Sequence, residues 1–173
     1  MKTLGYFTCA MLICSSIASC DKKGTEPIKN AIYFNSFESA EDTSGWHGIT
    51  EAMFVSDPAP EGGSQSLHIG GGCIQPAAHI NLPEGTRNGY YQVSCWGKLE
   101  DLAQGGSIGL VVDAGTEQRR ETHLSVSDTV WTFYQSEETL YCPLNHSLRL
   151  EIVIGGFVPA GMFVDCIQVE RVW

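Results

Sequence analysis

The residue that points most directly to ligand binding is Trp96, in the run Tyr90–Lys98. Polar and apolar residues alternate along this run, which places Trp96 and Gln92 on one face of a predicted strand and the apolar Val93 on the other. An indole on the water-facing side covers the apolar face of a sugar ring, while polar neighbours reach its hydroxyls. We therefore expect Trp96 and Gln92 to bind a ligand, unless a loop covers the indole.

Three more side chains are predicted to face outward by the same alternation. Arg149 and Glu151 alternate with apolar residues in one predicted strand, and Tyr134 lies in another. We expect these three to line the same concave sheet as Trp96 and Gln92. The five residues form the predicted ligand-binding set.

The sequence signals for catalysis are weaker. Gly105–Gly109 matches the G-x-S-x-G motif of serine hydrolases, but that motif works on a strand-to-helix turn, and a strand is predicted here. The five histidines show no metal-ligand spacing, and the outward Glu151 and His123 belong to no convergent acid–base set. We expect no catalytic residues. A polysaccharide lyase or glycanase is the enzymatic alternative.

Asp165 is predicted to be buried. Alternation places it on the same face as Phe163, Ile167 and Val169, which should point into the core. A buried carboxylate needs a cation or several hydrogen-bond donors, because an unpaired buried charge is very costly. Asp165 therefore either contributes to a cation site, caps loop amides or pairs with an arginine.

A second carboxylate, Glu38, ends the first predicted strand. If the terminal strands are neighbours, Glu38 and Asp165 supply up to four of the oxygens that Ca²⁺ prefers, and backbone carbonyls near Ser64 and Ser66 supply others. We expect a structural Ca²⁺ at this place.

Four cysteines lie in the predicted domain, namely Cys73, Cys95, Cys142 and Cys166. In an oxidising compartment they allow three disulfide pairings, among which the sequence does not choose. The alternative is that they are buried thiols. No C-x-x-C pair is present, which argues against a zinc site.

The N-terminus resembles a bacterial lipoprotein signal. A short basic start precedes the apolar segment Leu4–Ile17, and Ile17-Ala18-Ser19-Cys20 is similar to a lipobox. We expect residues 1–19 to be removed and Cys20 to carry a diacylglycerol and an acyl chain such as palmitate, which together anchor a protein stably. An ordinary secretory signal is the alternative.

The predicted lipid anchor determines the expected location. Residues 20–30 are polar, with a glycine and a proline, and are predicted to be a tether. The protein is expected in the bacterial cell envelope, on the outer membrane or cell surface if the host is Gram-negative.

Residues 31–173 are predicted to form one all-β domain. Short runs rich in β-branched and aromatic residues alternate with turn residues, and some alternate with period two, as with Leu148 and Leu150 on either side of Arg149. About nine antiparallel strands in this length predict a β-sandwich of the jelly-roll type. The predicted strands are Ile32–Glu38, Ala52–Val55, Ser66–Ile69, Tyr90–Lys98, Ser107–Asp113, Glu121–Val126, Val130–Thr139, Ser147–Ile154 and Met162–Val172.

The charge of the chain excludes one class of partner. The 173 residues carry a formal net charge of −10, and the basic residues form no cluster larger than a pair. Nucleic-acid backbones are held by clustered cations, so nucleic acid is not an expected partner.

The order of several short motifs resembles the jelly-roll carbohydrate-binding modules appended to xylanases and glucanases, in the galactose-binding-like superfamily. The resemblance implies a sandwich fold, a sugar ligand and a structural Ca²⁺ held by Glu38 and Asp165; Cys166, where many members have a second Asp or Asn, departs from the pattern. The motifs are Asn35-x-Phe37-Glu38, Gly45-Trp46, Gly63-Ser64-x-Ser66-Leu67, Tyr91-x-Val93-Ser94-x-Trp96-x-Lys98, Trp131-x-x-Tyr134 and Phe163-Val164-Asp165-x-Ile167-x-Val169.

Together these features predict a membrane-anchored, non-catalytic lipoprotein that binds neutral glycans by stacking and hydrogen bonds. A structural or assembly lipoprotein that binds an envelope protein and has no sugar site is the main alternative.

Overall fold

The computed structural model describes residues 30–71, 76–83, 88–103, 105–155 and 161–173. The predicted signal peptide, Cys20, the tether up to residue 29 and Cys73 lie outside these residues. Within the described ranges, no helix has the length and apolar character needed to cross a membrane.

The described residues form twelve strands and two short 3-10 helices, Ala40–Thr43 and Glu51–Met53. The strands are β1 (Ala31–Asn35), β2 (Trp46–His47), β3 (Phe54–Val55), β4 (Ser66–Gly70), β5 (Ala78–Asn81), β6 (Gly89–Leu99), β7 (Gly106–Val112), β8 (Arg120–Val126), β9 (Thr132–Gln135), β10 (Leu140–Cys142), β11 (Leu148–Ile154) and β12 (Gly161–Arg171).

The strands form two antiparallel sheets. In the seven-stranded sheet the long strands β6 and β12 pair at the centre; β9 and β10 flank β6, while β1 and β4 flank β12, with β3 beyond β4. The five-stranded sheet has the order β2-β5-β11-β7-β8. The predicted all-β sandwich of jelly-roll type is confirmed.

Nine of the twelve strands correspond to the nine predicted runs. The three that sequence patterns missed are β2, β5 and β10, which contain two, four and three residues. In segments this short, polar and apolar residues alternate too few times to predict a strand. They are recognisable in the structure because each pairs with a longer neighbour.

The core lies between the two sheets. The alternation predicted for β11 is confirmed, since Leu148, Leu150, Ile152 and Ile154 are all buried in the core. The core also includes Cys95 and Cys142. Burial of this apolar surface is the main favourable term in folding.

The buried cysteines sit in different surroundings. No disulfide joins Cys95, Cys142 and Cys166 to one another. Burial raises the pKa of the Cys95 and Cys166 thiols, which keeps them protonated. Pairings with Cys73 lie outside the described residues, so the predicted disulfides remain a prediction.

One part of the predicted alternation is wrong. Along β12, Asp165 pairs with Trp96 of β6, but the next pair is Gln168 with Ser94, so the register shifts between them. Cys166, with φ +48°, lies within this bulge. A bulge inserts an extra residue and changes which face the following side chains occupy. Asp165 therefore lies on the outer face of the sheet, while Ile167 and Val169 belong to the core.

Candidate functional site

A row of outward-facing residues crosses the five-stranded sheet from one edge to the other. His47 on β2 is directly opposite His79 on β5, and His79 is opposite Glu151 on β11. Glu151 is opposite Gly109 on β7, which is opposite His123 on β8. Residues directly opposite each other in antiparallel strands lie on the same face, so five strands present one continuous polar row.

A cleft of about 370 Å³ opens over the half of this row nearest β8. Its lining combines polar and charged side chains with a few small or apolar ones. Gly109 has no side chain, so the cleft is deeper between Glu151 and His123. The lining residues are Pro76, Ser107, Gly109, Val111, Arg119, Glu121, Thr122, His123, Glu151 and Val153.

A buried carboxylate in the lining of the cleft is contacted by two arginines, of which Arg119 also lines the cleft and Arg149 lies outside it. Glu151 is only 2% exposed although its strand position faces outward. Arg119 donates from Nη2 to Glu151 Oε2 at 3.1 Å, and Arg149 Nη1 lies 3.5 Å from Glu151 Oε1. The buried carboxylate thus accepts a hydrogen bond from Arg119 on Oε2, while Arg149 lies within ion-pair distance of Oε1, which accepts no hydrogen bond from the described residues.

Outer partners complete the network. Arg119 also donates to Glu121 Oε2 at 2.6 Å, and these bonds raise the pKa of Arg119, so it stays charged. Arg149 donates from Nε to Asn81 Oδ1 at 3.0 Å. The cleft therefore offers charged and polar groups held in place before a ligand arrives, which lowers the ordering cost of binding.

The arrangement is suited to hydrogen bonding with a polyhydroxylated ligand. Fixed guanidinium, carboxylate and imidazole groups supply both donors and acceptors. None of the described residues that line the cleft is a tryptophan, tyrosine or phenylalanine. Recognition there would depend on polar contacts more than on aromatic stacking.

Trp96 and Gln92 lie on the opposite side of the molecule, on the outer face of the seven-stranded sheet. Trp96 is half-buried and packs edge-on against Phe133, with ring centroids 5.8 Å apart. Phe133 is 51% exposed. Gln92 donates from its amide to the carbonyl oxygen of Ser136 at 2.6 Å, which holds its side chain against the backbone.

Tyr134 lines a second cleft, which shares Glu121, Thr122 and His123 with the first. It is opposite the buried Cys95, so its ring turns inward and packs against the core. Its hydroxyl donates to Asp128 Oδ2 at 2.8 Å and accepts from the backbone N–H of Ser127. These bonds fix the turn before β9.

The structure therefore does not bring the five predicted ligand residues together. Arg149 and Glu151 share one face, and Trp96 and Gln92 share the opposite face. Tyr134 packs against the core and lines the second cleft. Alternation along a strand predicts which of its side chains point to the same side of that strand. It does not predict which of the two sheets the strand belongs to. The expectation that all five residues line one sheet is wrong, while the ligand-binding roles themselves stay predictions.

Three residues of the polar face were missed by the sequence analysis. His47 and His79 lie in the short strands β2 and β5, and Arg119 lies in the loop before β8. The alternation of Ala78-His79-Ile80-Asn81 was an available signal for His79. No local pattern indicates that Arg119 turns back to reach Glu151, 32 residues further along the chain.

The two carboxylates of the predicted calcium site meet at one loop. Glu38 accepts the backbone N–H and the hydroxyl of Ser64 at 2.9 and 2.8 Å, and the N–H of Gln65 at 3.2 Å. Asp165 accepts the N–H groups of Ala59 and Cys166 at 3.0 and 2.7 Å. Residues 57–65 thus cover Asp165, which is fully buried beneath the loop instead of in the core.

The electrostatics of the two carboxylates differ. Burial by itself would raise the pKa of Glu38, but the bonds from Ser64 and Gln65 outweigh it and hold the pKa below its usual value. Burial raises the pKa of Asp165, and the charge of Glu38 raises it further. Among the described residues, neither carboxylate forms an ion pair with a lysine or arginine.

No protein-family model matches the chain, and no curated protein sequence matches it. Solved structures do. The CBM22-1 xylan-binding domain of Paenibacillus barcinonensis Xyn10C matches 85% of this chain and 97% of its own, with 19% identity and a TM-score of 0.59. The C-terminal family 22 carbohydrate-binding module of Clostridium thermocellum Xyn10B matches 84% of this chain and 96% of its own, with 15% identity and a TM-score of 0.60.

A larger neighbour is the N-terminal CBM22-1–GH10 portion of the Clostridium thermocellum endo-1,4-β-D-xylanase 10B, solved in complex with xylohexaose. It is 14% identical, has a TM-score of 0.60 and covers 84% of this chain, which spans only 29% of that protein. The predicted resemblance to jelly-roll carbohydrate-binding modules is confirmed at the level of the fold.

The arginine–carboxylate network predicts an asymmetric response to mutation. Arg119→Ala removes a hydrogen bond from the buried Glu151, so we expect a loss of roughly 1–3 kcal/mol in the free energy of unfolding. Glu121→Ala removes only the partner that is 51% exposed, and should cost less than about 1 kcal/mol. Urea unfolding of both variants measures the difference, and equal losses would contradict this account of the network.

Proposed function

We propose that this protein is a non-catalytic glycan-binding module whose ligand lies in the cleft on the five-stranded sheet. The observation that carries the proposal is the buried Glu151 clamped between Arg119 and Arg149 at the floor of an open cleft. Such a network is costly to bury and is not needed to hold a sheet together. It makes sense as a set of pre-positioned groups for the hydroxyls of a sugar.

The fold supports this proposal. Jelly-roll neighbours include a domain described as xylan-binding and a module solved with xylohexaose. Those ligands belong to the neighbours, and they make neutral β-linked glycans the first class to try here. The network pairs two arginines with two glutamates through three contacts, so its formal charge is balanced and it favours neither strongly anionic nor strongly cationic ligands.

The outer face of the seven-stranded sheet is a second candidate surface. Trp96 and the exposed Phe133 form an aromatic pair there, which would stack on a sugar ring. The predicted ligand role of Trp96 and Gln92 belongs to this surface. The same aromatic surface would serve the alternative function, which is docking of an envelope protein.

Binding of the ligand is expected to depend on the geometry of Arg119. Arg119→Lys keeps the charge but loses the planar fork that contacts Glu121 and Glu151 together. We expect affinity for soluble xylan, or for the best ligand on a broad glycan array, to fall by about tenfold, which corresponds to about 1.4 kcal/mol. Isothermal titration calorimetry measures the change.

Trp96→Ala is the matched variant for the opposite face, and it should leave binding in the cleft unchanged. If Trp96→Ala abolishes binding while Arg119→Lys does not, the site is the aromatic face. If the full chain binds no glycan on the array, the glycan-binding proposal fails and docking of a protein partner takes its place.

We also propose that Cys20 is lipidated and that the domain is held at the bacterial cell envelope. The proposal is supported by the lipobox-like Ile17-Ala18-Ser19-Cys20 after an apolar segment. Cys20→Ala should release the protein from the membrane fraction into the soluble fraction, as measured by fractionation and immunoblotting. A wild-type chain that is already soluble would contradict it.

A structural Ca²⁺ at Glu38 and Asp165 is a further proposal. The two carboxylates face one loop, and the described residues provide no cation to balance them. The loop also approaches both carboxylates closely. An added Cβ would collide with Asp165 at Gly62 and with Glu38 at Gly63. Carboxylate and backbone carbonyl oxygens are the ligands Ca²⁺ prefers, so a bound Ca²⁺ would neutralise the site and fix the loop to the sheet.

Calcium is therefore expected to stabilise the fold. At a Ca²⁺ concentration about 100 times the dissociation constant, the free energy of unfolding should rise by about 2.7 kcal/mol. Thermal unfolding in EDTA and in CaCl₂ measures this. Asp165→Asn should lose the response, and the control Glu41→Gln, on an exposed 3-10 helix, should keep it. An unfolding temperature that is identical in EDTA and in CaCl₂ rules the site out.

A further inference from the structure

Two histidines are stacked at the edge of the five-stranded sheet, outside the cleft. His47 on β2 and His79 on β5 are directly opposite each other, and their ring centroids are 4.7 Å apart with planes at 15°. His47 is exposed and His79 is half-buried. Gly48, with φ +88°, lets β2 approach β5 closely, because a Cβ there would collide with the carbonyl oxygen of Ala77.

The spacing of the rings matches that of two imidazoles on one metal ion. With a metal–nitrogen distance of about 2.1 Å, centroids of imidazoles at adjacent coordination positions lie about 4.5–5.2 Å apart. The observed 4.7 Å falls in this range. The ring planes are nearly parallel, so a nitrogen of each ring faces a shared ion only after rotation about the soft Cβ–Cγ torsions.

We infer that His47 and His79 form a surface site for a borderline divalent cation, of the class Zn²⁺, Ni²⁺ or Cu²⁺. The two imidazoles supply two ligands, and water fills the remaining positions on the exposed side. Imidazole nitrogen selects these ions over Ca²⁺ and Mg²⁺, which prefer oxygen. The site is independent of the glycan-binding proposal, since neither histidine lines the cleft.

The site is tested by titrating the untagged full chain with NiCl₂ at pH 7.5 in the presence of excess CaCl₂, using isothermal titration calorimetry. We expect one Ni²⁺ per chain. His47→Ala and His79→Ala should each weaken binding by about tenfold or more, because the second contact of a chelate is intramolecular. His123→Ala is the matched control, as an exposed histidine on the same face without a stacked partner, and it should bind Ni²⁺ like the wild type.

Protonation provides a second readout. Binding should weaken as the pH falls below about 6, where imidazoles take up protons and compete with the metal. Absence of Ni²⁺ binding, or equal binding by the wild type and His47→Ala, would overturn the inference. His47 is exposed, so loss of folding does not complicate that variant, and thermal unfolding checks the other two.

Discussion

A carboxylate removed from water has to be compensated by fixed partners, and this constraint shapes both outer faces of the sandwich. On the five-stranded sheet, Glu151 is compensated by Arg119 and Arg149, which are themselves held by Glu121 and Asn81. These partners restrict the positions of the side chains around the buried charge, and Arg119 and Glu151 both line the cleft.

The buried carboxylate of the seven-stranded sheet, Asp165, has a different set of partners. Asp165 has backbone amides for partners and a second carboxylate nearby, so its charge is hydrogen-bonded but not neutralised. The bulge at Cys166 is what turns Asp165 outward beneath the loop. The network on the five-stranded sheet is charge-paired, whereas Glu38 and Asp165 have no cationic partner among the described residues. This difference is the basis for proposing a sugar at the first place and Ca²⁺ at the second.

The long strands and their buried faces could be predicted from the sequence, because alternation is a local property. Leu148 to Ile154 illustrates this, since four apolar residues at every second position all reach the core. The position of Asp165 could not be predicted, because one extra residue in a strand reverses the faces that follow. The sequence also does not predict that Trp96 and Glu151 lie on different sheets. Their placement depends on strand pairing between distant parts of the chain, such as the pairing of β6 with β12 and of β11 with β7.

The polar row that ends at His47 and His123 joins the two edge strands of its sheet, and it runs across the strands instead of along them. Four interstrand steps of about 4.8 Å give it a length of about 19 Å. A polymer following that direction would enter over one margin of the domain and leave over the other. Under the proposed function, a glycan lying along this row would need no free chain end, so internal stretches of a long polymer would bind as well as short oligomers.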